Sequence, residues 1–248
     1  MSLRIAFDLD GTVADLDSAL AEISRSLFGG EPEAVAPAEG PPAEVRRGDP
    51  RGRLPADTPA AKDGPDEEED RVTPPRVRSL TPRQQSMVWQ AALRTPNFWE
   101  TLGEIEPGVL ARLWALAGER GWEVVFLTQR PASEGDTTQR QSQRWLRAKG
   151  FELPSVFVVS GSRGKVASAL GLDVVVDDRP ENCLDVKVDS TARAVLVARA
   201  GSPAMAANAA RLGIEAVSSI AELLDRLGRR AADGPSLLGR IKNLLTGA

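Results

Sequence analysis

The sequence predicts an α/β fold, a parallel sheet with helices on both faces. Three observations predict it. Short apolar runs alternate with segments of helical period through most of the chain, the pattern of strands joined by crossover helices. Three of those runs, at 3–7, 123–127 and 173–176, stop at acidic or hydroxyl residues, and in a parallel sheet such ends share one edge. The 248 residues suffice for one such domain with a sizeable core, or for one domain with a small insertion.

Leu3, Ile5 and Phe7 alternate with Arg4 and Ala6, a strand period of two. The run stops at Asp8-Leu9-Asp10-Gly11-Thr12. Asp8 and Asp10 can project to one side where the strand ends, and Gly11 lets the backbone fold back without steric cost. Val13, Leu16, Leu20, Ile23 and Leu27 then recur at helical spacing, and a helix over about 13–28 ends at Gly29-Gly30.

Residues 31–78 are rich in Pro, Ala, Gly and charge, and large apolar side chains are almost absent. Such a segment cannot bury enough surface to offset its ordering entropy, so it is predicted to be a disordered insertion. Thr81-Pro82 restarts helical structure as an N-cap followed by proline at N1. Met87, Val88, Ala91, Ala92 and Leu93 form that helix's apolar face. Pro107 opens another helix, with Leu110, Leu113, Trp114 and Ala117 on one face and Gly121 as its stop.

The strand at 123–127 runs into Thr128-Gln129-Arg130-Pro131, and a polar helix over 136–149 ends at Gly150. A strand at 156–159 ends at Ser160-Gly161-Ser162, before a helix that carries Lys165. The strand at 173–176 delivers Asp177-Asp178-Arg179-Pro180. A fifth strand follows at 194–197, then helices at 204–212 and 219–227, the last opening on a Ser219/Glu222 capping box.

Composition narrows the chemistry. There is no histidine, which removes His-based triads, His metal ligands and phosphohistidine. The net charge of −4 gives no reason to expect a nucleic-acid polymer as partner. The single cysteine, Cys183, allows no internal disulfide, suits a reducing compartment, and reads as a small core or surface residue. No apolar run is long enough to span a bilayer and no signal peptide precedes the first strand, so a cytoplasmic protein is expected.

Two carboxylates as close as Asp8 and Asp10 repel unless a cation sits between them or one stays protonated. A hard divalent cation, most simply Mg²⁺, resolves that conflict. One carboxylate could then attack phosphorus while its neighbour moves a proton.

Taken in order, Asp8-Leu9-Asp10-Gly11-Thr12, Thr128, Lys165 and Asp177-Asp178 resemble the four motifs of the haloacid dehalogenase (HAD) superfamily of phosphohydrolases. The resemblance covers about 3–28 and 80–227. It is nearest to the C-type 5'(3')-deoxyribonucleotidase group. Val13-Ala14-Asp15, Pro96-Asn97-Phe98-Trp99, Ile105-Glu106-Pro107-Gly108, Thr128-Gln129-Arg130-Pro131 and Asp177-Asp178-Arg179-Pro180-Glu181-Asn182 are similar to that group's sequences.

The resemblance implies a Rossmann-like core at 1–14 and 104–228, with a small helical cap inserted after the first strand at 15–30 and 79–103. Two segments depart from the family: the 31–78 insertion would interrupt the cap, and 229–248, beyond the family core, reads from its own pattern as an amphipathic tail. The resemblance implies Asp8 as nucleophile and Asp10 as acid/base. Mg²⁺ would be held by Asp8, the main-chain carbonyl of Asp10 and Asp177, with Asp178 supporting the metal or its waters. Thr128 and Lys165 would bind phosphoryl oxygens, with Gln129 beside them. Arg130 and Arg179 could contact substrate or pair with acids. Phe98 and Trp99 could stack on a nucleobase or pack the cap. The implied activity is a phosphatase of a small phosphomonoester, first a (deoxy)nucleoside 5'-monophosphate. Another small phosphorylated metabolite, or a non-catalytic phospholigand-binding scaffold, are the alternatives.

Overall fold

In the computed structural model, the described residues are 2–29, 80–199 and 203–232. The expected insertion at 31–78 and most of the expected tail lie outside them. The apolar run near the start forms β1 (Arg4–Asp8), with Ile5, Ala6 and Phe7 fully buried. The other main strands are β4 (Glu123–Thr128), β5 (Ser155–Val158), β6 (Val174–Asp177), β7 (Arg193–Val197) and β8 (Glu215–Val217). They form one six-stranded sheet in the order β5-β4-β1-β6-β7-β8, and every neighbouring pair is parallel.

The chain moves outward from β1 through β4 to β5, then crosses to β6 on the other side of β1 and continues to β7 and β8. The switch point therefore lies between β1 and β6, where open α/β sheets form a crevice beyond the strand ends. Register delivers the acids there. Phe7 pairs with Val176, so Asp8 and Asp177 are the next positions along neighbouring strands. On the other side Asp8 pairs with Leu127, one residue before Thr128.

Of the six strands of this sheet, β8 is the one the sequence pattern missed. It has only three residues, Glu-Ala-Val, too few to establish alternation.

Between β1 and β4 the chain makes a small excursion. β2 (Ala14–Asp15) pairs antiparallel with β3 (Gly103–Glu104). This ribbon takes the residues expected to begin the first helix, so α1 (Leu16–Phe28) starts later, with Asp15 as its N-cap accepting from Ser18 N. α2 (Pro82–Arg94) begins with the capping box Thr81/Gln84 and proline in its first turn. α1 and α2 pack together. Their buried Leu20, Val88, Trp89 and Ala92 are continuous with Phe7, Leu110, Phe126 and Trp145 of the sheet side in a single apolar cluster.

The remaining helices are α3 (Val109–Arg120), α4 (Thr138–Ala148), α5 (Arg163–Leu170), α6 (Pro180–Asp189), α7 (Pro203–Arg211) and α8 (Ile220–Ala232). The expected box at α8 forms differently. Ser219 Oγ accepts from Glu222 N, but the Glu222 carboxylate reaches back to the amide and hydroxyl of Ser218 rather than Ser219. Glu106 accepts from Ile220 N and Ala221 N at 2.8 and 2.9 Å, closing the first turn from the β3–α3 side. Among the described residues no helix is long and apolar enough to cross a membrane.

Candidate active site

Asp8 ends β1 and is 8% exposed. Its carboxyl is raised well above the ordinary carboxylate range, first by burial and then by the charge of Asp177. Asp177 ends β6 and is 1% exposed. It accepts from Arg179 N and Asn182 Nδ2, each at 2.9 Å. Burial and the neighbouring Asp178 nevertheless push its pKa up to about 7. Asp178 is likewise pushed up to about 7, by burial and then by Asp8. Its Oδ1 accepts from Thr12 Oγ1 at 3.2 Å.

Gly11 sits against Asp178 with φ of +79°, and a Cβ there would lie 2.2 Å from Asp178 Oδ2. Glycine is required twice, by backbone conformation and by space. Arg199, beyond β7, holds the same turn by donating to the carbonyls of Gly11 and Thr12, and lies 3.6 Å from Glu106. Sequence reasoning missed Arg199, because nothing local ties a loop after the fifth strand to this turn.

The cation between Asp8 and Asp177 is Arg163. Its Nη2 donates to Asp8 Oδ1 at 2.5 Å, and its Nε lies 3.8 Å from Asp177 Oδ2. Nε and Nη1 are buried without a hydrogen-bond partner. Lys165, the expected phosphate ligand, is exposed instead. Packing explains the exchange. A Cβ on Gly164 would lie 2.1 Å from the carbonyl oxygen of Asp185 and 2.6 Å from Asp189 Cβ, so α5 lies with that residue flush against α6. Successive helical residues differ by about 100°. Residues 163 and 165 therefore flank the contact on opposite sides, and Arg163 is the one turned to the strand ends.

In the 128–131 segment the structure shows, of the two readings for Arg130, the pairing with an acid. Thr128 is buried, and its Oγ1 accepts from Arg130 N at 3.2 Å. Gln129 is half-buried. Arg130 is not free to meet substrate. Its side chain is fully buried and pairs with Asp10, Nη2 reaching Oδ1 at 2.8 Å. Phe98 and Trp99 are 2% and 0% exposed and pack edge-to-face at 5.0 Å. Trp99 Nε1 donates to Pro131 O. These two rings are core, which leaves no face for a nucleobase. Trp99→Ala is expected to destabilise the fold by roughly 3–5 kcal/mol, read by denaturant unfolding, with equal loss on small and large substrates. A raised KM for the larger substrate alone, at unchanged stability, would contradict the packing role.

Cys183 is buried beside Asp177, as a small core residue. Burial pushes its thiol well above the usual range, which suits an inert position.

A divalent metal fits the donors here. Among the described residues no three acidic, His or Cys side chains form a ready cage. Two carboxylates and a main-chain carbonyl are nevertheless enough for a hard cation that keeps several waters. Asp8, Asp177 and Asp178 are held above the ordinary carboxylate range by burial first and then by one another's negative charge, the part such a cation would balance.

A pH prediction follows from those shifts. Asp177 and Asp178 titrate near 7 when folded and in the ordinary carboxylate range when unfolded. Within that window the folded chain binds more protons, so its stability falls as pH rises. In EDTA the Tm is expected to drop between pH 5 and 7.5, less so in Asp178→Asn. Mg²⁺ should restore more at pH 7.5 than at pH 5. A Tm indifferent to both pH and metal would remove the electrostatic account.

No family model matches the chain, and no curated protein matches it. Solved structures do. A HAD family hydrolase from Deinococcus radiodurans, with bound phosphate and sodium, aligns over 93% of this chain and 96% of its own, at 18% identity and a TM-score of 0.51. A haloacid dehalogenase-like hydrolase from Streptococcus pneumoniae aligns over 91% and 98%, at 13% identity and a TM-score of 0.49. At such identities the likeness is one of fold: a six-stranded parallel sheet flanked by helices, matching the Rossmann-like core of HAD hydrolases.

Proposed function

We propose that this chain, on a fold shared with HAD hydrolases, is a Mg²⁺-dependent phosphatase of small phosphomonoesters that works through an aspartyl-phosphate. The observation that carries the reading is the convergence at one switch point of Asp8, Asp177 and a buried Arg163, two of whose nitrogens make no hydrogen bond. Like charges buried together cost a fold stability and cluster at functional sites, which favours a chemical role for them. Phosphoryl transfer needs them, because it depends on positioned charge around the transferring group.

In this reading Asp8 attacks phosphorus in line and the bond to the leaving oxygen breaks. Asp10 gives that oxygen a proton, then takes one from the water that cleaves the acyl phosphate and releases inorganic phosphate. Arg163 Nε and Nη1 are the donors left for equatorial phosphoryl oxygens. Thr128 Oγ1 accepts from Arg130 N, so its own proton is available to a third oxygen. Mg²⁺, held by Asp8, Asp177 and the main-chain carbonyl of Asp10 with Asp178 behind, would neutralise charge on the phosphoryl group.

Within this class a (deoxy)nucleoside 5'-monophosphate is the first substrate to test, on the strength of the motif resemblance. The packed Phe98 and Trp99 add no support for a base-stacking pocket. A reducing, cytoplasmic compartment suits the buried Cys183 thiol. The test is phosphate release from p-nitrophenyl phosphate and from a panel of nucleoside and sugar monophosphates, with Mg²⁺ and with EDTA. Metal-dependent release supports the reading. Phosphate binding without release from any substrate would favour a phospholigand-binding scaffold.

A further inference from the structure

We infer that Arg130 is the positioning residue of Asp10, and that its cradle makes Asp10 a single-orientation acid/base. The inference rests on the proposed phosphatase reaction. Arg130 Nε donates to Asp10 Oδ1 and Oδ2 at 3.0 and 2.8 Å, and Nη2 donates to Oδ1 at 2.8 Å. Nη1 is taken by Ser142 Oγ at 3.0 Å. All three guanidinium nitrogens are engaged, in a side chain that solvent does not reach.

The guanidinium is also held on its faces. Its carbon lies 4.9 Å from the Trp99 ring and 5.7 Å from the Trp145 ring. Both rings are anchored in turn. Trp99 Nε1 donates to Pro131 O at 3.1 Å and Trp145 Nε1 to Leu102 O at 2.7 Å. Trp99 N donates to Gln141 Oε1 at 3.2 Å, and Gln141 Nε2 donates to Ser133 Oγ and Asp136 O. The cradle is thus assembled from the 3₁₀ turn Phe98–Glu100, the loop after β4 and the buried face of α4.

A planar fork with no freedom imposes its plane on the carboxylate it grips. Asp10 follows the last residues of β1 in a turn, where its two side-chain torsions are otherwise open. Arg130 closes them. Its charge is the last of the influences on Asp8, which it lowers, but its hydrogen bonds go to Asp10 and Ser142, so its positioning role runs through Asp10. A misplacement of about 1 Å at a reacting group can cost on the order of 100-fold. Lysine in the same place keeps the charge and loses the fork.

The test uses the full-length protein with Mg²⁺ and p-nitrophenyl phosphate. Arg130→Lys is expected to lower kcat on the order of 100-fold with KM unchanged. In an Asp10→Asn background the same substitution should cause no further loss, since the group it positions is already disabled. Ser142→Ala, which removes only the Nη1 anchor, should give a smaller loss confined to kcat and serves if Arg130→Lys fails to fold. A raised KM at unchanged kcat would make Arg130 a substrate ligand, and full additivity with Asp10→Asn would make it a purely structural one. Either result overturns the inference while the phosphatase reading stands. A wild-type protein that releases no phosphate from any monoester overturns both.

Discussion

Asp8→Asn is expected to lower phosphate release at least about a thousandfold, given how slow uncatalysed monoester hydrolysis is. An amide has no anionic oxygen to attack phosphorus and is a poor ligand for a hard cation. Asp10→Asn should behave differently. Its rate loss falls on proton transfer, worth roughly 10²–10⁴, beside a stability cost from leaving the buried Arg130 without its carboxylate. It should suffer less with nitrophenolate, which leaves without much help from an acid. Rapid-quench kinetics then separates the two. Asp10→Asn should give a burst of nitrophenol equal to enzyme followed by a slow phase, and Asp8→Asn no burst. Near-wild-type turnover in Asp8→Asn would end the aspartyl-phosphate mechanism.

Arg163→Met should be nearly as damaging. It removes the donors nearest Asp8, and loss of a preorganised donor at a developing charge typically costs 10²–10³ in kcat. It also leaves two buried carboxylates without their cation, at a cost to the metal-free fold of roughly 3–5 kcal/mol. Both effects should appear together: a lower Tm in EDTA, partly recovered with Mg²⁺, and a rate that stays low after recovery. Lys165→Met, two residues along the same helix, should change neither. If Lys165→Met is the variant that loses activity, the rotation assigned to α5 is wrong.

The contrast between those two cations marks how far the sequence could be read. The strand ends were legible because a run of apolar residues must stop somewhere, and Asp8, Thr128 and Asp177 stand where three runs stop. Parallel alternation then places them together without further information. The facing of α5 was not legible. It depends on Gly164 lying against the carbonyl of Asp185, a contact between two helices that no local spacing records. Phe98 and Trp99 present the same difficulty, since an aromatic pair beside a site has the same sequence whether it lines a pocket or fills a core. Arg130 was singled out for its position after Thr128. Its partner could be named only once α4 and the 3₁₀ turn had brought Trp145, Trp99 and Ser142 around it.

The helical hairpin bears on how this chain could be altered. The ribbon of β2 and β3 joins the start of α1 to the region where α2 ends, close to Asp10. Each helix has 13 residues, so the chain departs at Gly29 and re-enters at Leu80 about 20 Å farther out. The carboxylates, their arginines and the tryptophan cradle are all built from residues outside 30–79. The outer ends of the two helices, at Gly29 and Leu80, are the natural attachment points for a fluorescent reporter or a binding module.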